Sequence, residues 1–179
     1  MPITDNAICK IATQFRVAIE AARDANCFTR DLVFWNFPRG CCGDACDMLA
    51  EHLRRRGVKT IYVCGDDNGQ SHAWLVVKDE RIQEPKKRTY SLPDDIHSIL
   101  SMYTGSEIPK ETDITGYEEQ DLQDGLIIDI TADQFGEAPV YIGTIDDFHR
   151  QYEFVSASEH THISDMRLSD LYKAISRFL

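Results

Sequence analysis

Three cysteines crowd one short stretch, FPRGCCGDACDMLAEHL, residues 37–53: Cys41, Cys42 and Cys46. A thiol attacks carbonyl carbon well when its thiolate is stabilised. The free N–H groups and the positive dipole end of a helix N-terminus do this. Pro38 and Gly40 end a connecting segment here, and helical spacing follows, so Cys41 and Cys42 fall at the first turn of a helix predicted over 42–56. Cys46 lies a turn further in. Ala45, Cys46, Leu49 and Leu53 make the apolar stripe of that helix, and Cys42 shares its side. Cys41 is turned about 100° away. Cys42 is therefore the candidate nucleophile, with Cys41 a neighbour that lines the site. Cys46 and Cys64 read as small buried hydrophobes. Gly40 and Gly43 leave room for close backbone approach.

Such a thiol needs a base, and the base needs an orienting group. His72, in SHAW, stands on a strand just after a tight turn. Asp129 stands in the middle of LIIDIT, where a carboxylate is costly to bury unless something pairs with it. His72 on a neighbouring strand would be that partner. Cys42, His72 and Asp129 then form a nucleophile, base and orienter. Zinc is the chemical rival. Zinc motifs use separated ligand pairs, and adjacent cysteines reach one tetrahedral ion poorly. A dithiol redox site calls for C-x-x-C, which the chain lacks. No metal and no cofactor is expected.

The positioning elements follow from period. Ile8, Ile11, Phe15, Ala18, Ile19 and Ala22 predict a helix over 6–24. The helix over 42–56 is closed by Gly57. KTIYVCG and SHAWLVV are β-rich runs joined by DDNGQ, a hairpin signal. IQEP, 82–85, reads as a short third strand. Residues 86–124 are polar, with one short helix over Asp94–Tyr103. GLIIDIT, PVYIG and QYEFV follow as strands, and 163–178 as a terminal helix. Helices first and an antiparallel sheet after them indicate an α+β class.

The chain has 179 residues, enough for one domain with a hydrophobic core. Its net charge of -11 argues against non-specific nucleic-acid binding and against an anionic membrane surface. The basic clusters at 54–56 and 86–88 read as solvated faces. No apolar run is long enough to span a bilayer, and the start has no secretory pattern. Six cysteines in that setting predict reduced thiols and a cytoplasmic protein.

GCCGDA at 40–45, followed by LAEHLRRRGVKTIYVCG, resembles the nucleophile helix and following strand of transglutaminase-like cysteine peptidases. HAWLVV resembles that family's His strand, and LIIDITADQFG its Asp strand. The order Cys, His, Asp also matches the wider papain-like superfamily. The resemblance covers roughly 36–142. It implies a papain-like α+β fold, with the nucleophile helix packed on an antiparallel sheet. It implies an oxyanion hole from the Cys42 backbone N–H and an amide six positions earlier, Asn36. It also implies that Trp74 shields the ion pair. The segment 86–124 is longer than the family's hairpin and reads as an insertion or lid.

The expected function is a cysteine hydrolase acting on a peptide or amide bond of a peptide or protein substrate. Acyl transfer to an amine and glutamine deamidation use the same triad. A non-catalytic interaction module on this scaffold is the other class.

Overall fold

The computed structural model describes residues 4–91, 93–104 and 109–179. Thr4 caps the first helix, α1 (Asp5–Asp24), by accepting from the Ala7 N–H. One face of α1 buries Ile8, Phe15 and Ile19, with Ala12, Ala18 and Ala22 letting neighbours come close. The connecting segment that follows contains a short helix, α2 (Leu32–Trp35), capped by Asp31. Then comes α3 (Cys42–Arg54), which buries Ala45, Cys46, Met48, Leu49 and Leu53. The chain turns out of it at Gly57, φ +82°.

β1 (Thr60–Asp67) and β2 (Gln70–Val77) form a hairpin. Its two turn residues, Asn68 and Gly69, both have positive φ, the requirement of a type I′ turn. The Gly69 N–H donates to the Asp66 carboxylate across the turn. Further on lie β3 (Lys86–Ser91), α4 (Asp94–Thr104), β4 (Glu111–Gly116), α5 (Glu119–Leu122), β5 (Ile127–Asp129) and a 3-10 turn over Ala132–Phe135. The chain ends with β6 (Tyr141–Gly143), α6 (Asp147–Arg150), β7 (Glu153–Glu159) and α7 (Met166–Ile175). The class is α+β. The main sheet is antiparallel, in the order β6-β5-β2-β1-β7. β3 and β4 pair as a separate ladder.

β2 is the central strand, and its residues alternate between two cores. Ala73, Leu75 and Val77 enter the large core with α1, α3 and α7. Trp74 and Val76 enter a second core with Ile61, Val63, Ile127 and Tyr152.

Several expected boundaries change. IQEP is not a strand: 82–85 is a bend and coil that buries Ile82, and pairing starts at Lys86. Among the described residues of 86–124, the expected helix is present as α4, and with it stand β3, β4 and the short α5. It returns to the second core through Tyr117 and Leu122, and Tyr117 donates to Glu159 on β7. These contacts lie at the β7 edge and along the second core. Residues 92 and 105–108 of the expected lid lie outside the described residues. The terminal helix starts at Met166, capped by Asp165, and tightens into a 3-10 turn at Ser176–Phe178.

Candidate active site

The site begins with an opened ladder. The Val77 N–H donates to the Leu126 carbonyl at 2.9 Å, and β2 and β5 are in register at Val76–Ile127 and Leu75–Ile128. Along an antiparallel strand, alternate residues turn their backbone groups the same way, so Ala73 also presents its N–H and C=O towards β5. Pairing has already stopped there. Ile130, next in register, gives its carbonyl to Arg16 Nη1 at 2.7 Å. Two sulfurs from α3 meet the freed groups instead. Cys46 Sγ donates to the Ala73 carbonyl at 3.4 Å, and the Ala73 N–H approaches the Cys42 sulfur. Residues four apart share a helix face, which is why both thiols reach the same strand residue.

His72 precedes Ala73 and faces the second core. Its Nε2 stands 2.7 Å from Asp129 Oδ2, with both side chains fully buried. The Thr131 N–H and hydroxyl donate to the other oxygen, Oδ1, at 2.8 and 3.2 Å. Since Nε2 is committed to Asp129, the interaction of the ring with the Cys42 thiol falls to Nδ1. That nitrogen is buried and makes no hydrogen bond of regular geometry, yet it is close enough to couple the two titrations.

Burial by itself would push the Cys42 thiol up. His72 and the N–H groups of Ala73 and Gly43 outweigh it and hold the thiol below its ordinary value. Burial would likewise push His72 down. Its hydrogen bonds and charge interactions with Asp129 and Cys42 override this and bring the imidazole up to about 9. Burial would push Asp129 up, but His149, His72 and the Thr131 N–H keep it well below the usual carboxylate range. The three directions together favour a thiolate–imidazolium pair beside a carboxylate. The helix start adds to this. Its first helical bond runs from the Ala45 N–H to the Cys41 carbonyl, and no side chain caps it. The N–H groups of residues 42–44 are therefore left without helical partners.

Rings enclose His72. The centroids of Phe135, Tyr152, Phe148 and Trp74 lie 4.9, 5.3, 5.6 and 5.8 Å from its own. This sets the Trp74 ring beside His72. Gly65, opposite His72 in the hairpin, makes the cage possible. A Cβ there would lie 2.7 Å from Tyr152 Cβ and 3.2 Å from the Trp74 ring. Beyond the cage, a cleft of about 850 Å³ opens between Phe135, Phe148 and Tyr152, with Asp67, Glu137 and Asp147 in its wall.

Two expected members stand elsewhere. Cys41 is turned into the large core, 2% exposed, and its thiol donates to the Pro38 carbonyl at 3.1 Å. Burial, then the neighbouring Cys42 and Asp44, push it up to about 12. It is a packing residue and does not line an open site. Asn36 is exposed, and its amide donates to the Leu32 carbonyl one turn back, at 3.1 Å. An amide that the sequence reading missed stands at the turn before α3. Gln134 Oε1 accepts from the Gly40 N–H at 3.2 Å, which leaves Nε2 buried and unpartnered. Nothing in DITADQF distinguishes Gln134 from a surface glutamine. Asp44 is tied to α7 by Arg167, which also binds Asp31.

His149 was also missed. It lies against Asp129, 3.4 Å from Nε2 to Oδ2, and its signal in the sequence is Asp146 three residues before it at a helix start. Among the described residues, His72, Asp129 and His149 are the one group with donor atoms near enough to hold a metal ion. The 2.7 Å His72–Asp129 contact is a hydrogen bond. Two donors on one tetrahedral zinc stand about 3.3 Å apart. The pair is thus arranged to share a proton. All six cysteines are free thiols. Among the described residues no helix is long and apolar enough to cross a membrane.

Set against protein-family models, curated proteins and solved structures, the chain shows no significant match.

Proposed function

We propose that the protein is a cysteine hydrolase, on a papain-like or transglutaminase-like fold, that cleaves a peptide or amide bond through an acyl-thioester. One observation carries the reading. A half-buried Cys42 at an uncapped helix start interacts with His72, whose other nitrogen is held 2.7 Å from the buried carboxylate of Asp129. The Cys42 thiolate adds to the carbonyl carbon, and the C=O electron pair moves onto oxygen. The Cys42 N–H and its helical neighbours stabilise that oxyanion. The C–N bond then breaks as His72 Nδ1 gives its proton to the leaving nitrogen. Water, giving a proton back to His72, attacks the thioester, and the C–S bond breaks to free the acid. Asp129 holds the imidazole in the tautomer that turns Nδ1 to sulfur.

A primary amine in place of water makes the same site an acyltransferase. The wall of Asp67, Glu137 and Asp147 favours this second reading, because a cationic acceptor would collect there.

The test is to trap the intermediate. On incubation with p-nitrophenyl acetate and acid quench, intact mass and peptide mapping should find the acetyl group on Cys42. Cys42→Ala and His72→Ala should both abolish the adduct. Acetylation spread over Cys9, Cys27 and surface lysines, and unchanged in His72→Ala, would contradict the reading.

A further inference from the structure

Asp129 has two histidines. His149, on α6, is 1% exposed, and its Nε2 stands 3.4 Å from Asp129 Oδ2, the oxygen that His72 contacts at 2.7 Å. Its Nδ1 lies 2.5 Å from Asp146 Oδ1, the N-cap carboxylate of the same helix. Ionised carboxylates only accept. A neutral imidazole has one N–H, and the 2.5 Å contact claims it for Nδ1. Nε2 would then aim a lone pair at Asp129 in a buried place where it has no other partner. A ring carrying a proton on each nitrogen satisfies both neighbours. The 3.4 Å separation, without regular hydrogen-bond alignment, makes the Asp129 side of the bridge a matter of charge.

We propose that His149 is a positioning residue that bridges Asp129 and Asp146 and, by sharing Asp129 with His72, limits how firmly His72 keeps its proton. The inference rests on the reading of Cys42, His72 and Asp129 as a triad. A buried carboxylate devoted to one imidazole holds its imidazolium more firmly than a carboxylate shared between two rings. A second imidazole at the same oxygen divides that hold while keeping Asp129 pointed at Nε2.

Other groups face the bridge without replacing it. The Tyr141 ring, on β6, lies tilted with its centroid 5.0 Å from that of His149, and Trp74, on β2, packs edge-on at 5.1 Å. Tyr152 lies by both Trp74 and His72. Glu119, on α5, shares a small cavity with His149, and Arg150 is paired with Asp147 at 3.0 Å. On the other side His72 faces Cys42. Among these, the rings that meet Asp129 Oδ2 are those of His72 and His149.

The experiment follows the His72 ring by NMR as pH is varied, in the full chain, for His149→Gln and Asp146→Asn. In both variants the His72 midpoint should rise by about one pH unit, because Asp129 then serves His72 alone. Asp146→Asn keeps the measurement open if His149→Gln does not fold, since the Asp146 side chain is 36% exposed. A His72 midpoint that stays or falls in a folded variant overturns the proposal. So does stoichiometric zinc on the wild-type protein that His149→Gln loses. The readout needs no turnover, so an inert Cys42 would show in acetylation and leave this result intact.

Discussion

Arg16 connects the first helix to the loop that carries the site's far wall, and its removal has a calculable effect. Arg16 is 5% exposed. It donates to the Ile130 carbonyl at 2.7 Å, binds both oxygens of Asp133 at 2.8 and 2.7 Å, and lies 4.5 Å from the Phe37 ring. Arg16→Met keeps the packing stem but orphans the carbonyl that the opened ladder leaves at Ile130. Losing a charge-assisted bond to a buried group costs about 1.5–3 kcal/mol. The Asp133 carboxylate is 24% exposed, so that pair adds only about 1 kcal/mol after solvent screening. The ring contact adds about 0.5–1 kcal/mol. These share one side chain and do not sum fully, so the expected loss is about 3 kcal/mol. For a chain of this length that lowers Tm by about 9 °C. Guanidinium and thermal melts of Arg16→Met and Asp133→Asn should show the first losing about 3 kcal/mol and the second about 1. Phe135, at the end of the same loop, packs on His72, so Arg16→Met should also slow Cys42 alkylation. A loss below about 1 kcal/mol for Arg16→Met, or equal losses in the two variants, would refute the role assigned to the Ile130 carbonyl.

Gly65→Ala should cost about 1–3 kcal/mol in a denaturant melt and displace Tyr152 or Trp74, because the added methyl meets Tyr152 Cβ at 2.7 Å. Cys41→Ala should lose about 1 kcal/mol while leaving Cys42 labelling unchanged, since the Cys41 thiol is buried on the Pro38 carbonyl. His72 is held above its ordinary value, at about 9, so its contribution is full below about pH 6.5 and is lost as pH rises through 9. Melts between pH 6.5 and 9.5 should therefore decline, and Asp129→Asn should flatten that decline. His52 is pushed down to about 4 by burial, then by Arg56 and Arg55, so its contribution is present above pH 6.5 and is lost as pH falls through 4. Acid melts of His52→Gln should show a shallower loss over that range.

The elements legible in the sequence are those with a strong period or a specific turn. α1 and α3 follow their apolar stripes, and the β1–β2 hairpin follows Asn68–Gly69. Cys42, His72 and Asp129 each break a local pattern. They are a polarisable thiol at a helix start, a histidine entering an apolar strand, and a carboxylate between isoleucines. The side chains that complete the site obey their local patterns and so stand out less. Phe135, Phe148 and Tyr152 look like ordinary core aromatics, and Gln134 like a surface amide. Arg16 reads as the polar face of an amphipathic helix until the β2–β5 ladder is seen to stop short. Helix phase sets Cys41 apart from Cys42, but it turns Cys41 away from the apolar stripe, whereas the structure buries it in the large core. That depends on the tight turn before it, where Pro38 offers its carbonyl. The family resemblance implies Asn36 as the oxyanion amide, but a local bond to the Leu32 carbonyl takes that amide instead. The 86–124 segment misleads because its polar strands pair with each other and are not buried in the main sheet.

In the proposed site Cys42 is a thiolate because His72 and the start of α3 stabilise it. The direct measurement is the rate of iodoacetamide alkylation at each cysteine between pH 5 and 9, read by peptide mapping in the wild type and in His72→Ala. Cys42 should label fastest at neutral pH, with a midpoint below that of an ordinary thiol, and His72→Ala should move that midpoint up. Equal labelling of Cys9, Cys27 and Cys42 with ordinary midpoints, indifferent to His72→Ala, would contradict it.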